Sequence, residues 1–294
     1  MYDIENYYHA STVQEAAALL CEHPQARIIS GGSDVLIKIR EGKLAGTSLV
    51  SIRDIKEIQG VKITDAGDIY IGAGTTFSHI TNDPVIRKYL PVLGEAVDQV
   101  GGPQVRNIGT IGGNVCNGAV SADSAPTLFS LNAMLCIEDS KGGRLVPIRD
   151  FYLGPGRVDL KQGEILTHIV IPAAQYQGYQ GHYIKYSMRN AMDIATIGCS
   201  VVSKVNVEQK ILEDVRITFG VAAPIPCRCV KTEEALKGSR TDEDLSDRIR
   251  ELVQSEINPR DSWRASRAFR LQIGAEIAAR ALRRTIELAG GDRL

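Results

Sequence analysis

The chain has 294 residues, enough for two or three compact subdomains around separate cores. Its 34 lysines and arginines against 35 aspartates and glutamates give a formal net charge of -1, and no basic run exceeds a few residues. This excludes nucleic acid and acidic membranes as general electrostatic partners. No window approaches the roughly 20 apolar residues of a membrane helix, and the start, MYDIENYYHASTVQEAA, has neither the basic nor the apolar block of a signal peptide. A cytoplasmic location is therefore expected.

In chain order, Ser11-Thr12-Val13-Gln14-Glu15 fits a capping box and predicts a first helix over about 12–22. ARIIS then reads as a strand running into Gly31-Gly32, LVSIRDI as another, and VKITDAGDIYIGAGT as two strands joined by a glycine-containing turn. Helices are expected within 77–100, with Pro84 and Pro91 in the first turns of separate segments. Asp123 or Ser124 can cap a further helix with Pro126 in its first turn. MLCIED and RLVPI form a hairpin around DSKGG, and GEILTHIVIP supplies one more strand. QYQGYQG, 175–181, marks a boundary. Beyond it HYIKYSM, TIGCSVVSKVNV and VRITFGVAA alternate as strands, followed by mostly helical sequence from about 231 to a terminal Gly-Gly stop. The class is mixed α+β, with a smaller carboxy-terminal domain of strands backed by helices.

Cys21, Cys116, Cys136, Cys199, Cys227 and Cys229 include no C-x-x-C pair, so neither zinc nor an iron-sulfur cluster is expected in this chain. Cys227 and Cys229 fall on one face of a strand and read as ordinary buried thiols. Two glycine-rich segments point to a ligand instead. Ile28-Ile29-Ser30-Gly31-Gly32-Ser33-Asp34 is a strand breaking into a nest of backbone amides, which can hold a pyrophosphate without a charged side chain. Gly109 to Asn114 repeats that composition, and no lysine or arginine occurs between Asn107 and Leu128. Two such loops can close on one diphosphate from opposite sides. Neither is a P-loop or a G-x-G-x-x-G fingerprint, which disfavours the usual nucleotide folds.

SGGSDVL, RNIGTIGGNVCNGAVSADSAPTL and IKYSMRNAMDIATIGC resemble the flavin-binding subunit of molybdenum hydroxylases, the xanthine dehydrogenase family in particular. The resemblance extends over nearly the whole chain, through FGVAAPIPCRC and SWRAS. It implies a two-lobed FAD-binding domain of the vanillyl-alcohol-oxidase (PCMH) type over 1–176, with lobes of about 1–55 and 56–176, and the family's flavoprotein carboxy-terminal domain over 177–294. It implies a first pyrophosphate loop on Arg27, Ile28, Ile29, Ser30, Gly31, Gly32, Ser33, Asp34 and Val35. A second falls on Thr110, Ile111, Gly112, Gly113 and Asn114. Asp123 is implied as an acceptor for ribityl or ribose hydroxyls, Leu166 as a backbone contact to the flavin ring, and Lys185 as the catalytic cation beside that ring.

Val100 stands where animal members of the family are expected to stack a phenylalanine on adenine. Arg189 and Asp193 form a local pair that shapes the site. His9, His23, His79, His168 and His182 lie outside both loops, and Cys116 reads as a filler, so the implied FAD is noncovalent. The family's scheme further implies a molybdenum-binding large subunit, a small subunit with [2Fe-2S] clusters, NAD+ as co-substrate, and a dimer of heterotrimers. The alternatives are the flavin subunit of an aldehyde, carbon monoxide, nicotinate or aromatic-CoA enzyme, or a flavin-free docking scaffold.

Overall fold

A computed structural model describes residues 2–290 and shows an α+β chain built on three main sheets. The first unit runs β1 (Ile4–His9), α1 (Val13–Glu22), β2 (Arg27–Ile29), α2 (Val35–Arg40) and β3 (Thr47–Ser51), with the strands parallel in the order β1-β3-β2. The capping box forms: the Thr12 hydroxyl accepts the Glu15 amide at 3.1 Å, and the Glu15 carboxylate accepts the Ser11 amide at 2.7 Å. That start directs Val13, Ala16, Ala17 and Leu20 of α1 onto Val50, Ile52 and Ile55. β3 is shorter than LVSIRDI predicts: after the Ile52 amide bonds the Ile29 carbonyl, the chain turns.

The second unit is an antiparallel sheet in the order β4-β5-β10-β6-β7, from β4 (Val61–Ile63), β5 (Ile69–Gly72), β6 (Met134–Asp139), β7 (Gly142–Pro147) and β10 (Ile165–Ile171). Helices α3 (Phe77–Asn82), α4 (Pro84–Tyr89), α5 (Pro91–Asp98), α6 (Pro103–Arg106), α7 (Ile111–Cys116) and α8 (Ser124–Ser130) intervene. Proline opens α4, α5 and α6, where its missing N–H leaves no bond unmade. Phe77, Ile80, Leu93, Ile111 and Leu128 from these helices share one core with Ile69, Ile71, Leu135 and Ile169 of the sheet. A short helix, α9 (Ile148–Phe151), leads into a ribbon of β8 (Tyr152–Gly154) and β9 (Arg157–Val158).

The third unit has an antiparallel sheet in the order β11-β12-β13-β14, from β11 (Gln180–Tyr186), β12 (Ile197–Asn206), β13 (Ile211–Gly220) and β14 (Cys227–Arg228). It carries α10 (Val230–Leu236), α11 (Ser246–Glu256) and α12 (Arg267–Leu288). Alternation on the central strands sorts their two buried faces. Ile197, Cys199, Val201, Val215, Ile217 and Phe219 pack under α10, α11 and α12. Ser200, Val202, Arg216 and Gly220 face the second unit: Ser200 meets Ser130 hydroxyl to hydroxyl at 2.9 Å, Val202 joins the second core, and a Cβ on Gly220 would stand 3.1 Å from Pro126. At the end of α12, Gly290 takes φ +91° as a terminating glycine does, while Gly291 lies outside the described residues.

Arg216 pins this junction. Only 6% exposed, it donates to the carbonyls of Gln175 (2.9 Å) and Ser130 (3.3 Å), lies 3.3 Å from Asp214, and stacks 4.3 Å from the Tyr179 ring centre. Arg216→Met leaves two carbonyls without their charged donor, a loss on the order of 3 kcal/mol. A lower urea midpoint, with faster proteolysis within 173–181, is the expected result.

Candidate functional site

A cleft of about 670 Å³ opens between the first and second units, within the range typical of small-molecule and cofactor sites. Its lining includes Arg27, Ile28, Ser30, Gly31, Gly32, Ser33, Asp34 and Val35 from the first loop, and Thr110, Gly112, Gly113 and Asn114 from the second. Leu166 and Val100 also face it. The two segments touch: a Cβ on Gly31 would fall 2.1 Å from the Ile108 carbonyl oxygen, so only glycine permits this approach.

The two loops do different work. In the first, Gly32 takes φ +74° and the chain enters α2. Among the described residues the amides of residues 31–35 donate to no protein acceptor, which leaves a row of donors on the cleft wall. The second loop is mostly the helix α7, and its amides from Ile111 to Asn114 are taken. Ile111 donates to the Thr75 carbonyl, Gly112 to Ala73, Gly113 to the Thr110 hydroxyl and Asn114 to the Thr110 carbonyl. The two loops therefore offer different surfaces: the first presents a row of donors, and the second, apart from the Thr110 amide, presents close packing.

The two glycines of α7 differ in the same way. A Cβ on Gly112 would meet the Ala73 Cβ at 2.5 Å and its carbonyl oxygen at 2.6 Å, whereas one on Gly113 would meet only the Thr110 hydroxyl, at 3.0 Å. Gly112 lets the helix lie on the strand end, and Gly113 leaves the cleft side open.

Ile29 and Ile111 direct their side chains into the cores beneath the loops, at 8% and 0% exposure, and do not line the cleft. Asp123 and Lys185 do not line it either. They meet each other, the ammonium 2.8 Å from the carboxylate, and both are buried. The second carboxylate oxygen accepts the Tyr183 hydroxyl at 2.8 Å, and Lys185 also donates to the Gln99 carbonyl at 2.9 Å. Burial pushes the Asp123 carboxyl above the usual range against the pull of Lys185 and Tyr183. Asp123 holds the N-cap position of α8 without capping it, because its oxygens are engaged across the domain junction. Ser124 does not cap it either; its hydroxyl donates to Asn114. Arg189 and Asp193 do pair, at 3.6 Å, in an exposed turn.

Two features of the cleft escaped sequence reasoning, and a third, Cys116, reads there only as a filler. Lys38, from α2, reaches across to donate to the Asn117 side chain at 2.9 Å, which brings a cation to the middle of the lysine-free stretch. A lone exposed lysine on a short helix gives no signal of this. Cys116 faces the cleft half-buried, and burial pushes its thiol up to about 12, so it stays protonated and unreactive. The other missed feature is the wall over 160–166, fixed from behind by Arg144. This guanidinium grips the Glu164 carboxylate at 2.7 and 2.8 Å and Asp159 at 2.7 Å, while Glu164 accepts the Lys161 amide at 2.7 Å. Gln162 ties the same wall to the Leu20 carbonyl of the first unit at 2.6 Å.

Burial raises the Glu164 pKa, but Arg144 and the Lys161 amide outweigh it and hold the carboxyl below its usual range. A depressed carboxylate pKa stabilises the fold above the unfolded value of roughly 4.3 and loses that contribution as pH falls through the folded value. Arg144→Met is expected to cost about 2 kcal/mol at neutral pH and to flatten the loss of stability on acidification, read by thermal melts against pH. Gly112→Ala is expected to destabilise by roughly 1–3 kcal/mol through overpacking. Gly113→Ala should be near neutral, because the gain in helix propensity offsets a single soft contact. Denaturant titration of the two variants side by side checks this.

The comparisons with known proteins agree with this geometry. A family model described as the FAD binding domain in molybdopterin dehydrogenase matches residues 2–174, and one described as the CO dehydrogenase flavoprotein C-terminal domain matches residues 182–285. The chain is 37% identical over 291 residues to a putative xanthine dehydrogenase FAD-binding subunit of Escherichia coli, covering 99% of each chain. It is 30% identical to the glyceraldehyde dehydrogenase medium chain of Sulfolobus acidocaldarius, covering 93% of this chain and 95% of that one. In structure it is similar to a carbon monoxide dehydrogenase chain from Hydrogenophaga pseudoflava, with a TM-score of 0.91 at 26% identity, covering 98% and 99% of the two chains. A strand-to-amide-nest loop packed against a glycine helix, matched to these relatives along nearly its whole length, places the chain in the family of FAD-binding subunits of molybdenum hydroxylases.

Proposed function

We propose that the chain binds FAD noncovalently across the cleft and is the electron-outlet subunit of a xanthine dehydrogenase-type assembly with NAD+ as acceptor. In this reading a molybdenum-binding large subunit and a small subunit with [2Fe-2S] clusters complete the enzyme. The observation that carries the flavin part is the row of unpaired amides at residues 31–35 on the cleft wall. A diphosphate there satisfies donors that otherwise face water, and Arg27 and Lys38 border the same space.

Leu20, Phe77, Val100 and Val105 give the cleft apolar surface for flat rings. Leu166 is 3% exposed, so it offers the cleft mainly backbone, at a strand whose register shifts between Leu166 and His168. Lys185 and Asp123 act on the cleft through Gln99, whose carbonyl Lys185 holds next to Val100. The protonated Cys116 thiol favours a noncovalent ligand. Bound FAD supplies exchange of single electrons with clusters and of hydride with nicotinamide.

The 37% identity to the xanthine dehydrogenase subunit favours a purine substrate. The glyceraldehyde and carbon monoxide relatives keep the same two-part chain, which supports a substrate site on another subunit. Acid precipitation of the purified chain should release one equivalent of FAD; FMN in the supernatant or flavin on the pellet counts against the reading. The chain alone should oxidise NADH with an artificial acceptor and turn over no purine, and adding the partner subunits should couple xanthine oxidation to NAD+ reduction. Purine turnover by the chain alone overturns the subunit role. A reconstituted enzyme that ignores purines but oxidises an aldehyde moves only the substrate.

A further inference from the structure

The chain contains one tryptophan, and it is 80% exposed. Trp263 sits on a connection between α11 and α12 that is built to be rigid. Arg270, 2% exposed, donates to the carbonyls of Thr196 (3.0 Å), Ala265 (3.1 Å) and Arg260, and to the Ser262 hydroxyl at 2.7 Å. Ser262 and Ala265 exchange backbone bonds, Asn258 donates to the Ala222 carbonyl at 2.9 Å, and the Asp261 carboxylate caps the Arg267 amide at 2.7 Å. Ordering an exposed tryptophan this firmly does nothing for the core.

The surface around it is apolar and positive. The Arg264 guanidinium lies 4.2 Å from the Trp263 ring centre. Phe269 meets Tyr186 edge-on at 5.7 Å, and the turn that leaves Tyr186 exposes Met188 at 69% and Ile194 at 48%, while Met192 folds back to Gln104 of the second unit. The Thr196 amide closes that turn on the Tyr186 carbonyl at 2.8 Å, beside the bond from Arg270. Among the described residues Arg260, Arg264 and Arg267 form no ion pair, and Asp261 is the carboxylate between them. Burial lowers the Arg270 pKa, and the nearby charges of Arg260 and Arg264 lower it further.

We infer that Trp263, Arg264 and Arg267, flanked by Tyr186, Met188 and Phe269, form the docking surface for another subunit of the assembly, one presenting carboxylates around an apolar hollow. Tryptophan and arginine at the centre of an exposed apolar patch are the side chains that dominate protein interfaces. Three unpaired guanidiniums on a chain of net charge -1 select an acidic face. The inference rests on the multi-subunit reading above.

The test uses the complete assembly, coexpressed with a tag on this chain, and reads partner affinity and flavin per chain separately. Trp263→Ala and Arg264→Glu are expected to weaken partner binding at least about tenfold, with unchanged flavin content and melting temperature. Trp263→Phe and Arg264→Lys should retain most of the binding, and added salt should weaken the native complex more than the Arg264→Glu complex. Wild-type affinity in both disruptive variants overturns the inference, as does loss of self-association with the heteromeric complex intact. A wild-type chain that carries no flavin yet loses its partners on Trp263→Ala would sink the FAD reading and leave the docking surface standing.

Discussion

No side chain fits between Gly31 and the carbonyl of Ile108. That contact fixes the distance between the first and second units, and the cleft takes its width from it. Other contacts near the cleft accompany this approach: Gly32 turns the chain into α2 at φ +74°, Gly112 lets α7 lie on Ala73, and Gln162 fastens the opposite wall to Leu20. The glycines of the two loops thus serve three separate steric demands, and it is the first loop that leaves a continuous row of backbone donors unused.

The third unit is tied to the second by directed polar contacts as well as by apolar ones, Val202 in the second core and Tyr183 against Val92 and Ala96. Its central strands are buried on both faces, but the face turned to the second unit mixes Ser200, Arg216 and Gly220 with Val202, while the opposite face carries Ile197, Val201, Ile217 and Phe219. A junction made of directed hydrogen bonds holds one geometry where an apolar one would tolerate sliding. The buried Lys185–Asp123 pair belongs to the same junction and passes that geometry to Gln99, at the edge of the cleft.

Much of the fold could be read in advance, because local rules governed it. The capping box at Thr12, the prolines that open α4 and α5, and the alternation along TIGCSVVSKVNV each act within a few residues, and each appears where the sequence places it. β1 was not legible: IENYYH is an edge strand exposed along most of its length, so it has no apolar rhythm to betray it. Helix α7 was hidden behind its glycines, which read as a loop until Ala73 is seen beneath them. Of the site, the residues of the first loop were legible because a nest is a local property of the backbone. Lys38 beside Asn117 and Lys185 against Asp123 were not, since both pairings join segments far apart in sequence. The wall held by Arg144 belongs to the same group, because its bonds come from β7, which is not adjacent to β10 in the sheet.

The open row of amides at residues 31–35 has a thermodynamic side as well. A native state that keeps its best donors for a ligand is stabilised by that ligand through mass action, by about 2.7 kcal/mol when the free ligand stands at a hundred times its dissociation constant. In the absence of ligand only water can satisfy these donors, so no hydrogen bond within the protein protects the amides of residues 31–35 from exchange. A ligand that fills the row therefore adds to the stability of the fold as well as occupying the cleft.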